Sequence, residues 1–192
     1  MKPQSLLIYF LAFIFLTASM CKKKPVDPID QLPPETQTGA NTFGCLVNGE
    51  IFKPGGAQLS GGSLQCNYQD LGSGSNGGYY FVIAGRYQNN RIGGGNSIGI
   101  STDSLRISEG IKLHLANRSK GKASGIYSFY TNAYNSYQSF DTDGNLYTGE
   151  LYIKKLDSIN QIVSGTFWFD AVSAGGQKAE IRNGRFDVHY TR

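Results

Sequence analysis

The sequence predicts an all-β domain, an antiparallel β-sandwich of about nine or ten short strands. Three observations predict it. Apolar and polar residues alternate with period two through most of the chain after Thr42. Glycine is abundant, at 25 residues, and aromatics reach 12%, while long helix-forming stretches are absent. Asn-Gly, Asp-Gly and Gly-Gly pairs punctuate the alternating runs at short intervals. Period-two alternation belongs to antiparallel sheets with one buried face. Two packed sheets bury one face of every strand economically, and a flattened, calycin-like β-barrel is the alternative closure.

The elements follow in order. Residues 43–47 form a first strand, turned by Asn48-Gly49 into Ile51 and Phe52 and ended by Pro54. Asn-Gly between apolar runs is a strong hairpin signal, because both residues tolerate positive φ. Residues 64–68 make a second short run. Residues 79–87 place Phe81, Ile83 and Gly85 on one face; Ile98 and Ile100 pair in residues 97–101. Ile111, Leu113 and Leu115 alternate with Lys112 and His114, and residues 125–130 continue the pattern. Leu151 and Ile153 alternate with Glu150, Tyr152 and Lys154 up to a turn at residues 157–160. Gly165, Phe167, Phe169 and Ala171 then alternate with Thr166, Trp168 and Asp170 up to Gly175-Gly176. Phe186, Val188 and Tyr190 close the chain, with Asn183-Gly184 marking either a tight turn or a bulge.

The first residues read differently. Lys2 precedes an uncharged apolar run over residues 6–16. That run is too short for a bilayer span of roughly 20 residues and fits a signal-peptide core. Thr17, Ala18, Ser19 and Met20 lead to Cys21, an arrangement that resembles a bacterial lipobox, with Met20 where such motifs prefer a small residue. The organisation expected is a signal peptide at 1–20, a lipidated Cys21 with a Pro-rich tether through 41, and a single β domain over 42–192. The tether carries Pro25, Pro28, Pro33 and Pro34 among polar residues, a composition that favours extended chain.

Net charge is +4, from 18 Lys plus Arg against 14 Asp plus Glu. The only basic cluster, Lys22-Lys23-Lys24, adjoins the anchor, where it can meet anionic headgroups. No nucleic-acid footprint is present. With Cys21 lipidated, Cys45 and Cys66 remain as an even pair in an oxidising compartment, a candidate disulfide. Their strand phases point both inward, and two buried free thiols are the alternative.

Motifs that spell chemistry read more simply as turns. Residues 72–77 match G-x-G-x-x-G, but a strand follows where a dinucleotide site needs a helix. Asp141-Thr142-Asp143-Gly144 lacks the flanking helices and closing glutamate of a calcium loop and reads as a hairpin turn. His114 and His189 lie on polar strand phases without a zinc-ligand spacing or a nucleophile elbow. No metal, cofactor or catalytic residue is expected.

The segment over residues 127–140 stands apart. Tyr127, Phe129, Tyr130, Tyr134, Tyr137 and Phe140 lie among Asn, Ser and Gln, the composition of adaptable binding surfaces. Trp168, on a polar strand phase, is a candidate addition.

Residues 32–50 (LPPETQTGANTFGCLVNGE), 164–172 (SGTFWFDAV) and 183–190 (NGRFDVHY) together resemble an uncharacterised family of Bacteroidota envelope lipoproteins. The resemblance implies a membrane-anchored envelope protein with one β domain; it implies no activity. In related bacteria, acidic residues just after the lipidated cysteine mark surface export. Lysines hold those positions here, which points to the periplasmic side of the outer membrane. The expectation is a non-catalytic binding or structural module for a glycan or an envelope protein; a hydrolase of envelope polymers or an apolar-ligand carrier are the rival classes. Cys21→Ser is expected to release the protein from membranes and abolish labelling by a fatty acid. Absence of label in the unaltered protein would refute the anchor.

Overall fold

The computed structural model describes residues 26–56, 62–73, 77–89, 93–131 and 136–192. Residues 1–25, including Cys21 and the signal peptide, lie outside the described residues. A short 3-10 turn, Pro28–Gln31, precedes β1 (Thr42–Val47), β2 (Glu50–Phe52), β3 (Gly55–Gly56), β4 (Leu64–Asp70), β5 (Tyr79–Asn89) and β6 (Gly94–Asp103). Then come β7 (Lys112–Leu115), β8 (Lys122–Thr131), β9 (Ser136–Asp141), β10 (Gly149–Asp157), β11 (Ile162–Ser173) and β12 (Lys178–His189). Among the described residues, no helix is long and apolar enough to cross a membrane.

The strands pair in the order β2-β1-β12-β11-β10-β7-β8-β6-β5-β3, with β4 on β5 and β9 between β8 and β11. The path folds back on itself at β7–β8, which share a single residue pair, Leu115 with Ala123. One layer is β2-β1-β12-β11-β10-β7, and the other is built on β5, β6 and β8. The two short junctions, β7–β8 and β9–β11, join the layers at one side. This is a sandwich, not a clean barrel. Two strands exceed the sequence expectation: β3 is only two glycines, and β9 is hidden in a stretch rich in Tyr, Ser and Gln.

Alternation makes the core. Phe43, Phe81, Ile83, Ile98, Ile100, Leu115, Leu151, Ile153, Phe167, Phe169, Ile181 and Phe186 are all buried and form one cluster between the layers. Rings cross the gap: Phe81 of one layer lies 6.4 Å from Phe186 of the other. Positions without a side chain admit them. A Cβ on Gly85 would fall 3.0 Å from Phe43, and one on Gly125 would fall 3.0 Å from Phe169. Each fully buried Phe is worth roughly 1.5–3 kcal/mol by removal from water.

Local chemistry sets the turns. Asn48 and Gly49 both adopt positive φ, 50° and 86°, and reverse β1 into β2. The Asp157 carboxylate accepts from the amides of Ile159 and Asn160 and closes the β10–β11 hairpin. The Asn183-Gly184 signal is a bulge. Phe167 pairs Gly184 and Phe169 pairs Ile181, so β12 carries one residue more than β11 across this stretch. Neighbouring β1 registers the same irregularity between Gly44 and Leu46. Asn183, at φ 53°, takes the left-handed conformation that the bulge requires.

The segment expected as a free tether is docked from Leu32 onward. Leu32 is buried, and Pro33 lies against Gly44, where a Cβ would come within 2.7 Å of its ring. Glu35 pairs with Lys154. The anchor is Asp187, which points to the outer face of β12 yet is only 1% exposed. Its carboxylate accepts from the Thr36 hydroxyl at 2.6 Å and from the amides of Thr38, Gly39 and Ala40 at 2.8–3.1 Å. Composition alone missed this because the partner lies about 150 residues away.

Burial by itself would raise the Asp187 pKa, but the Thr36 hydroxyl and three backbone amides outweigh it and hold the group below the ordinary carboxylate value. A depressed folded pKa means that this contribution is present above the unfolded value of about 3.9 and is lost as pH falls through the lower folded value. Asp187→Asn is therefore expected to cost about 1–3 kcal/mol at neutral pH. Amide exchange at Thr38, Gly39 and Ala40 should speed up in the variant at pH 7, and in the unaltered protein only in acid. Unchanged exchange and melting temperature in the variant would show that something else holds the strap.

Candidate functional site

The aromatic segment of residues 127–140 falls on β8 and β9 and is divided by the sheet. Tyr127 pairs Phe140 and Phe129 pairs Gln138 across the two strands, on the inward face. Tyr130 pairs Tyr137 on the outward face. The inner rings pack together: Tyr127 lies 5.6 Å from Phe140, and Phe129 lies 6.1 Å from Phe140. Phe140 is 5% exposed and belongs to the core, not to a surface, because it faces inward from β9. Tyr137 and Tyr130 are the open rings, at 66% and 37% exposure. Tyr134 lies outside the described residues.

Trp168 is exposed, as its strand phase predicts, but it stands on β11 in the other layer. Its neighbours are Glu150 across β10 and Arg182, whose guanidinium lies 5.6 Å from the indole centre. It does not share a surface with Tyr130 and Tyr137.

The inner rings open onto a cleft at the end of the sandwich. Tyr87, Asn96 and Phe129 form one inward row across β5, β6 and β8. Tyr87 is in phase with the buried Phe81 and Ile83 yet is exposed. A depression of about 390 Å³ is lined by Tyr87, Asn89, Asn96, Tyr127, Phe129 and Tyr130, with Gly94 and Gly95 leaving its wall low. A second, of about 310 Å³, shares Tyr87 and Asn96 and extends to Ile51, Phe52 and Lys53 on the β2 edge. Asn96 is the polar centre of this cleft. Its side-chain oxygen is buried with no hydrogen-bond partner. Burial raises the Tyr127 pKa, against a hydrogen bond from the Asn96 side chain. Tyr127 is therefore a neutral phenol at physiological pH.

Sequence reasoning missed Tyr87, Asn96 and Lys53. Tyr87 reads as one more core position on an alternating strand. Only the packing shows that the opposite layer does not cover it.

Cys45 and Cys66 are both buried and free, so the expected disulfide is not formed. Both face the core, as their phases indicate, but from distant places. Cys45 lies opposite the bulge at Asn183-Gly184, and Cys66 lies beside Thr191. The chain from Gly184 to Thr191 spans on the order of 20 Å, whereas a disulfide needs Cα atoms within about 7 Å. Burial pushes both thiols well above their ordinary pKa.

The remaining motifs have local roles. Of the glycine-rich stretch 72–77, residues 74–76 lie outside the described residues; Asp70 accepts from the Gly72 amide. Asp143 accepts from the amides of Asn145 and Tyr147, which hold its carboxyl below the usual range. His114 is exposed on β7; the His189 Nδ1 lies 3.2 Å from the Asn160 carbonyl oxygen. Among the described residues, no group of three metal-ligating side chains gathers, and neither histidine meets a carboxylate or a hydroxyl.

Comparison of the chain with protein-family models, curated proteins and solved structures finds no match. Phe140→Ala is expected to cost about 3–5 kcal/mol, as for a buried aromatic. Tyr137→Ala should change stability by less than about 0.5 kcal/mol. Chemical denaturation of the two variants measures both, and equal losses would contradict the division of the segment into core and surface.

Proposed function

We propose that this chain is an envelope lipoprotein of the Bacteroidota family it resembles, and that its β domain is a non-catalytic binding module for a neutral glycan. In this reading Cys21 holds the domain to the membrane, on the periplasmic side of the outer membrane. The single observation that carries the binding role is the inward row Tyr87–Asn96–Phe129, which runs past the covered core into an open cleft. Aromatic faces suit the apolar C–H faces of a pyranose, and amides suit its hydroxyls. The buried Asn96 oxygen lacks a donor, and a sugar hydroxyl reaching it would supply one. Lys53 and Asn89 border the cleft and add polar contacts at its rim.

The phenylalanine-filled interior favours a surface binder over a carrier with an internal cavity. Among the described residues the lining also offers no paired carboxylates, which disfavours glycoside hydrolysis by the usual two-carboxylate route.

The test is calorimetric titration of the mature domain with a panel of neutral oligosaccharides. Tyr87→Ala and Asn96→Ala are each expected to weaken binding by at least about tenfold, with Tyr87→Ala leaving the melting temperature nearly unchanged. A panel without a binder, or variants that bind as well as the original domain, would refute the reading.

A further inference from the structure

The bulge in β12 creates another depression, on the outer face of the layer that holds β11 and β12. Regular alternation would send Arg182 outward, Asn183 inward and Gly184 outward. The extra residue breaks this sequence. Gly184 instead faces the core, where a Cβ would come within 2.4 Å of the Phe167 ring, while Asn183 is exposed and Arg185 points outward opposite Thr166. One strand thus presents Arg182, Asn183 and Arg185 on the same side. These surround Trp168 in a depression of about 380 Å³, near the small end of ligand sites of about 300–1,000 Å³. The docked strap supplies the far wall through the Glu35–Lys154 pair.

The charges in this depression are not equivalent. The Arg182 guanidinium is committed: it pairs with Asp170 at 2.6 Å and donates to the Phe169 and Ile181 carbonyls. It is therefore a fixed wall beside the indole. Lys154 is committed to Glu35. Arg185 is different. It makes two long contacts, 3.4 Å each, to the carbonyls of Asn183 and Pro33, and has no carboxylate partner among the described residues. An underused guanidinium beside an indole left 43% exposed and an exposed amide is matched to a ring with one apolar face, hydroxyls and a single carboxylate.

We infer that this depression binds an acidic sugar, a hexuronate residue of a glycan, stacked on Trp168 with its carboxylate on Arg185 and a hydroxyl on Asn183. The guanidinium fork suits a carboxylate in bidentate geometry. An indole gives the stacking platform and the cation–π wall keeps it in place. The site is distinct from the Tyr87–Asn96 cleft, which opens at the end of the sandwich between β5, β6, β8 and the β2 edge and is lined by no arginine among the described residues.

Trp168 is the only tryptophan of the chain, so its fluorescence reads this site alone. The probe is trigalacturonate, compared with its methyl ester, which keeps the shape and removes the charge, and with a tripeptide of glutamate. Expected is a saturable fluorescence change with trigalacturonate, at least about tenfold weaker with the ester and weaker at high salt. Arg185→Gln should bring the acid down to the affinity of the ester. Since Arg185 also touches the strap, Asn183→Gly is the second variant: glycine accepts the same φ and removes only the amide. It should weaken acid and ester alike, by several-fold. No saturable change up to about 10 mM trigalacturonate would overturn the inference. So would equal binding of acid and ester, tripeptide binding as tight as the sugar, or unchanged affinity in folded Arg185→Gln or Asn183→Gly protein.

Discussion

Phenylalanine rings meeting backbone without side chains set the geometry of this molecule. Phe43 lies against Gly85 and Phe169 against Gly125, each across the gap between layers. Within one layer, Phe167 covers Gly184 and Phe186 covers Gly165. A methyl group at any of these positions would fall at or inside ordinary contact distance of a ring, and interiors packed at crystal-like density have no room to absorb it. The large ring and the missing side chain form one unit. Together they fix how closely the two layers approach, and hence which residues the core can cover. The high glycine content is thus a packing feature as well as a source of turns.

Where that packing stops, the Tyr87–Asn96 cleft begins. The layers do not cover each other at the end of β5, β6 and β8, so residues in the inward phase emerge half-exposed there. Tyr127 and Phe129 still lean on Phe140 and the core. Tyr87, one step further along the same phase, is open to solvent. A change from core to surface along one strand phase produces a mixed aromatic and amide lining without any special motif. On the other layer, the β12 bulge does comparable work by a different route. It keeps Ile181, Gly184 and Phe186 in the core and turns three polar side chains outward beside Trp168.

The strap over residues 32–41 ties these parts together. A carboxylate buried on the outer face of a sheet is costly unless its lone pairs are used. Asp187 uses them on a hydroxyl and successive backbone amides of one short segment. This satisfies amides that a loop would otherwise leave to water, and fixes the path of the chain just before β1. The same segment walls the Trp168 depression through Glu35.

Much of the fold was legible in the sequence, because a strand with one buried face must alternate. The strands around Phe81, Leu113, Leu151, Phe167 and Val188 all declare themselves this way, as do the turns at Asn48-Gly49 and residues 157–160. The exposure of Trp168 follows from the same phase. Alternation reports only which side of a strand is buried. It does not report what lies opposite, so Phe140 and Tyr87 could not be sorted into core and cleft, and Cys45 and Cys66 could share an inward phase while lying far apart. The docking of the strap on Asp187, the direction taken by the bulge and the separation of Trp168 from the tyrosines were decided by the tertiary structure. Each depends on contacts between residues remote in sequence, and a local pattern carries no record of those.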